Sequence, residues 1–145
     1  MDVVVSGARS ARAAGLWATN KEPVHVKILI VDDSMAMRRI VARTLRQAGY
    51  GGHEIVEAPD GLKALEVVKA SSPDVILCDW NMPEMSGLEF LQKLRADGVG
   101  TTFGFITTEG SEEMRQIAQT SGAAFLLAKP FTAEDMQSVL SGVLK

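Results

Sequence analysis

Four short apolar runs recur along this chain, and each stops at a polar residue. Ile28-Leu29-Ile30-Val31 ends in Asp32-Asp33, Val75-Ile76-Leu77-Cys78 in Asp79, Phe105-Ile106 in Thr107-Thr108, and Phe125-Leu126-Leu127-Ala128 in Lys129. The runs are continuous rather than alternating, which suits strands covered on both faces, as in a parallel sheet. Parallel strands all point one way, so their C-terminal ends share one edge. The terminating residues, far apart in sequence, are therefore expected to meet there.

Between these runs the pattern turns helical. Met37, Ile40, Val41, Thr44, Leu45 and Ala48 repeat at helical spacing while Arg38, Arg39, Arg43 and Arg46 fill other positions, predicting an amphipathic helix over about 35–48 stopped by Gly49. The Arg38, Arg39, Arg43 and Arg46 face reads either as a docking surface or as a solvated basic face. Strands are expected near 53–58, 74–78, 102–107 and 123–128, and helices from about 60, after Gly87, over 111–120, and across Met136, Val139, Leu140, Val143 and Leu144. Five strands alternating with five helices make a doubly wound α/β pattern.

Size and charge narrow the function. A chain of 145 residues with 46% hydrophobic content fits one compact domain, since about 100–200 residues per domain is usual. That domain is placed at 25–145. Residues 1–24 are Ala-, Ser- and Gly-rich, carry Arg9, Arg12 and Trp17 without any period, and read as a disordered or loosely docked extension. An expression remnant, a misplaced start or a targeting segment are the other readings of that stretch. The net charge of −3 is not gathered in a block, which argues against nucleic acid and against a membrane surface. No apolar stretch approaches the roughly 18 residues of a bilayer span, and no charged leader precedes a long apolar core, so a cytoplasmic location without membrane insertion is expected. The single cysteine, Cys78, excludes an intrachain disulfide and reads as a buried inert thiol rather than a redox group.

The expected chemistry follows from the residue types at the shared edge. Asp32, Asp33 and Asp79, brought within a few ångströms, repel one another, so such a cluster is either partly protonated or built around a cation. An all-oxygen donor set, with no histidine or second cysteine, favours a hard ion, and Mg²⁺ fits. Asp79 can then attack a phosphoryl group and become an acyl phosphate. The ion, the Lys129 ammonium and the Thr107 hydroxyl are the groups available to stabilise the transferring oxygens. Taken singly, each signal has a plain structural reading: Asp33 or Ser34 as a helix cap, Thr107 as a turn residue, Lys129 as a solvated charge, the Asp79–Pro83 stretch as a loop. Their conjunction on four successive strand ends is what points to a site.

The motifs Val31-Asp32-Asp33-Ser34, Asp79-Trp80-Asn81-Met82-Pro83-Glu84-Met85-Ser86-Gly87, Ile106-Thr107-Thr108-Glu109 and Lys129-Pro130-Phe131 resemble those of bacterial two-component response-regulator receiver domains, over about residues 26–144. Within that family the Asp79–Pro83 loop and the Ser34–Ile40 stretch are most similar to single-domain chemotaxis receivers. The resemblance implies a flavodoxin-like sheet of strand order 2-1-3-4-5, whose ligand crevice opens between strands 1 and 3. It implies that Asp79 accepts a phosphoryl group from a sensor histidine kinase or phosphotransfer protein. Mg²⁺ would be held by Asp32, Asp33, Asp79 and the Asn81 backbone carbonyl. Thr107 and Lys129 would bind phosphoryl oxygens, and Pro130 would follow a cis peptide. Asn81 and Glu109 would tune hydrolysis, so their substitution is expected to change decay of the phosphoryl state more than its formation. Output would pass through helix 4, strand 5 and helix 5 to a flagellar motor switch protein or another output protein.

Two departures stand out. Receivers usually carry an aromatic residue three positions before the lysine, where this chain has Leu126, with Phe125 one place earlier on the opposite strand face. Thr108 also replaces the small residue common after the switch hydroxyl. The reading is therefore a single-domain response regulator that is not an enzyme beyond Mg²⁺-dependent self-phosphorylation and autodephosphorylation. A phosphate sink or a non-motor adaptor is the alternative. An aspartyl-nucleophile phosphatase of the haloacid-dehalogenase type would want an acid where Asn81 stands, and a receiver-like module that takes no phosphate would not need every acceptor-site residue.

Overall fold

The computed structural model describes residues 25–144. The extension assigned to residues 1–24 lies outside them. The strands are β1 (Lys27–Val31), β2 (Glu54–Ala58), β3 (Val75–Asp79), β4 (Thr102–Thr107) and β5 (Phe125–Ala128). The helices are α1 (Met35–Leu45), α2 (Gly61–Ser71), α3 (Gly87–Ala96), α4 (Glu112–Thr120) and α5 (Ala133–Ser141). All strand pairings are parallel, in the order β2-β1-β3-β4-β5. The five-stranded, doubly wound arrangement expected from the sequence is the one observed.

Side-chain alternation along each strand divides the core in two. Leu29, Val31, Ile76, Cys78, Phe103 and Phe105 face α2, α3 and α4, where Leu65, Phe90, Leu91 and Ala118 meet them. Ile28, Ile30, Val75, Leu77, Ile106 and Leu127 face α1 and α5, against Val41, Leu45, Met136 and Leu140. Both faces of β1 and β3 are thus dry, which is why their sequences read as unbroken apolar runs. Cys78 is fully buried, as expected of an inert thiol.

Every helix starts on a side-chain cap. Ser34, Asp60, Ser86, Ser111 and Thr132 each accept a backbone N–H from the first turn, satisfying donors that the helix leaves free. Of the two residues that could have capped α1, Ser34 does so, leaving Asp33 without that task. The predicted end of α1 needs revision. Regular helix stops at Leu45, and a wider π-type turn over Arg46–Tyr50 carries the chain through Gly49 at φ 100. A left-handed backbone of that kind suits glycine. Helix α5 likewise stops at Ser141, although Val143 and Leu144 continue its apolar spacing and still pack on the core.

Candidate functional site

The β1–β3 pair is where the chain reverses direction across the sheet, α1 lying on one face and α2 and α3 on the other. Helix crossovers that leave in opposite directions open a crevice at the C-terminal ends of such strands. Asp32 leaves β1 there, and Asp79 is the last residue of β3, one position further into the strand than the sequence indicated. Asp32, Asp33 and Asp79 each place a carboxylate oxygen within 4.8 Å of the others. Asp32 and Asp79 are buried, and Asp33 is exposed at the rim.

Lys129 follows β5 and reaches back across the sheet edge. Its Nζ lies 3.7 Å from Asp32 Oδ2 and 3.7 Å from Asp79 Oδ1, and the Lys129–Pro130 peptide is cis. One ammonium against three carboxylates leaves the pocket negatively charged. Burial pushes the Asp32 carboxyl above the usual aspartate range, although the Ser34 N–H and Lys129 pull the other way. Burial does the same to Asp79, reinforced by Asp32 and opposed by Lys129 and the Asn81 N–H. Burial, helped by the two carboxylates, also raises the Cys78 thiol well above its ordinary value. A pocket that raises its acids in this way favours a proton or a cation. Hard oxygen donors at this density suit Mg²⁺, which accepts a few carboxylates and keeps waters for the rest of its octahedron.

The remaining predicted residues lie on β4 and β5 and in the loops that follow β3 and β4. Thr107 ends β4, is fully buried, and accepts the Glu109 N–H at Oγ1 (3.1 Å), while its carbonyl accepts the Lys129 N–H at 2.7 Å. Asn81 and Glu109 are exposed. Leu126 is buried on the α4 side and its carbonyl accepts Arg115 Nη1 at 3.1 Å, whereas Phe125 packs into the core of the opposite face. The Phe125 ring lies over Gly104, its partner on β4, where any side chain would collide with it. Phe125 therefore does not stand in for an aromatic residue at Leu126.

The structure also separates the arginines of α1. Arg39, Arg43 and Arg46 are exposed. The Arg38 side chain is only 13% exposed: its Nε donates to Glu57 Oε1 (2.7 Å) and its Nη1 to the Asp32 carbonyl (2.6 Å). It belongs to the wall of the pocket rather than to a basic surface. Helical spacing could not reveal this, because the partner lies on a strand 19 residues away.

Comparison with known proteins agrees with this geometry. Residues 28–141 match the family model described as the response regulator receiver domain. Chemotaxis protein CheY1 of Helicobacter pylori strain J99 is 39% identical over 122 residues, covering 82% of this chain and 97% of that protein. Chemotaxis protein CheY-3 of Vibrio cholerae is 38% identical over 123 residues, covering 83% and 93%. Among solved structures, Vibrio cholerae CheY4 superposes with a TM-score of 0.74 at 38% identity over 83% of this chain and 100% of its own. The signal receiver domain of Mycobacterium tuberculosis NarL superposes with a TM-score of 0.74 at 31% identity, over 83% and 96%. The chain is thus a member of the response regulator receiver domain family, of the CheY type.

Proposed function

We propose that this protein is a cytoplasmic phosphorylation switch, made active when a histidine kinase or phosphotransfer protein donates a phosphoryl group to Asp79. The observation that carries the reading is the convergence of three carboxylates and one lysine on the end of β3. In this reading Asp32, Asp33, Asp79 and the Asn81 carbonyl would hold Mg²⁺, which would supply neutralisation of the phosphoryl oxygens. Asp79 supplies the attacking carboxylate oxygen. The incoming phosphorus–oxygen bond forms as the bond to the donor's nitrogen breaks, leaving an acyl phosphate. Lys129 stabilises the oxygens from the β5 side, and Thr107 donates its hydroxyl once it turns toward them. Asn81 and Glu109 stand at the rim, positioned to set the approach of hydrolytic water. The domain so defined spans 25–145.

The donor would arrive over α1. A shallow apolar groove lined by Met37, Ile40, Thr108, Lys129, Pro130 and Phe131 borders the site, and Ile40 also lines the neighbouring groove beside Arg39, Arg43 and Arg46. The two meet at Ile40, the first mostly apolar beside Lys129 and the second carrying three arginines and Glu57. Output would leave by α4, β5 and α5 to a motor switch protein or another output partner. The buried aliphatic Leu126 favours a second reading, a non-motor adaptor or phosphate sink, because no aromatic ring is available there to change places with Thr107.

The test is incubation with a labelled small-molecule phosphodonor and Mg²⁺. One labile phosphoryl group per chain is expected, abolished by Asp79→Asn and by chelation. Undiminished label on Asp79→Asn defeats the proposal, and label that appears only as released phosphate from added esters favours a phosphatase instead.

A further inference from the structure

Asp32 is tied down at almost every polar atom. Its N–H donates to the Ala58 carbonyl (3.2 Å), its Oδ1 accepts the Ser34 N–H (2.8 Å), and its carbonyl accepts Arg38 Nη1 (2.6 Å). The last bond differs in kind. Two of the three come from neighbouring backbone, whereas Arg38 is a long side chain fixed at a second point by Glu57, which stands opposite Ile30 on the edge strand β2. A guanidinium held by two bonds in its rigid plane has little freedom left.

The carbonyl that Arg38 holds belongs to the peptide joining Asp32 to Asp33. Peptide planarity means that fixing this oxygen fixes the direction in which Asp33 leaves. Asp33 is exposed and receives no side-chain restraint from the α1 cap, which Ser34 provides. Resting on the functional reading above, we infer that Arg38, braced by Glu57, is a positioning residue for the cation pocket, orienting Asp33 toward Asp79 through the Asp32–Asp33 peptide.

The sign of the effect separates this from plain electrostatics. A positive group bonded to the backbone of a cation site repels the cation, so its removal should tighten Mg²⁺ binding if charge alone mattered. Positioning predicts weaker binding, because residues that orient metal ligands typically contribute about 10- to 100-fold in affinity.

The experiment is a Mg²⁺ titration of the full chain followed by Trp80 fluorescence, in a Trp17→Phe background. Trp80 adjoins Asp79 and stacks on Phe105 with ring centroids 4.5 Å apart. Arg38→Met is expected to weaken binding roughly 10-fold or more. Arg38→Lys, which keeps the charge but not the fork, should lose nearly as much. Glu57→Ala should weaken binding in the same direction, and the Arg38→Met/Glu57→Ala pair should be no worse than Arg38→Met alone, the non-additivity of residues acting as a unit. Affinity within twofold of the parent, or tighter, for Arg38→Met overturns the inference. Should Arg38→Met fail to fold, Arg38→Lys, which leaves the charge unchanged, decides by the same criterion. A parent chain with no Mg²⁺ response defeats the proposed function and this inference together, whereas a responsive parent whose variants keep its Mg²⁺ affinity defeats only the inference.

Discussion

Asp32 and Asp79 are most comfortable in the fold when uncharged or metal-bound, since burial raises both carboxyls above their usual range. The linkage has a definite direction. An acid whose folded pKa exceeds its unfolded value binds its proton more tightly in the native state, so the penalty on folding is present above the folded pKa and absent below the unfolded one. In chelator, the contribution of these two residues should therefore grow more favourable as pH falls from neutrality toward the ordinary carboxylate range. Urea unfolding midpoints measured in chelator as the pH is lowered from neutrality should show this as a rise on acidification. Asp32→Asn should flatten the rise and stabilise the metal-free protein at neutral pH by roughly 0.5–2 kcal/mol, the usual gain when a functionally strained charge is removed. The same pH profile in parent and Asp32→Asn would show that burial of this carboxylate carries no net penalty.

At the level of elements, the end of β3 is held in place by the start of α3. Gly87 donates its N–H to the Trp80 carbonyl at 2.8 Å, and a methyl group at Gly87 would collide with the Asp79 carbonyl, the carbonyl of the proposed phosphoacceptor. Behind that contact runs a row of rings, Trp80 on Phe105, Phe105 on Phe103 and Phe103 on Phe90, leaving β3 no room to retreat. Gly87→Ala is expected to cost about 1–3 kcal/mol, the range for overpacking, and to weaken Mg²⁺ binding as well, because the displaced group carries a proposed ligand. Denaturant melts and metal titration of one sample check both parts. The sequence made Gly87 visible only as a helix start; that it is needed for close approach depends on the packing of strand against helix. The same division runs through the whole site. Strand ends that deliver Asp32, Asp33, Asp79, Thr107 and Lys129 were legible because an unbroken apolar run states where a doubly covered strand stops. The π-type turn at Arg46–Tyr50 was not, since Ala48 keeps its buried place on the helical face. Nor were Arg38–Glu57 and Gly104–Phe125, whose partners are chosen by strand position and register rather than by local period.

Across the whole molecule, two dry cores clamp a sheet whose C-terminal edge gathers like charges from two adjacent strands. β1 and β3 are paired along Ile28–Val31 and Val75–Cys78, so repulsion between Asp32 or Asp33 and Asp79 acts where that ladder ends. A cation held by these carboxylates would relieve this in the native state alone, since the three come together only when the sheet forms. Binding confined to the native state must appear as global stability, growing with free ligand as RT ln(1 + [L]/Kd), or about 2.7 kcal/mol at a hundredfold excess over Kd. Urea unfolding with increasing Mg²⁺ should thus move the midpoint upward without changing the slope, which follows the surface exposed on unfolding. Asp33→Asn should blunt the gain, and Asp79→Asn should remove most of it while raising the metal-free midpoint. A Mg²⁺ gain that persists in Asp79→Asn would place the cation elsewhere on the protein. The Kd drawn from the stability curve should also equal that from Trp80 fluorescence, because the one proposed site at the β1–β3 edge would govern both.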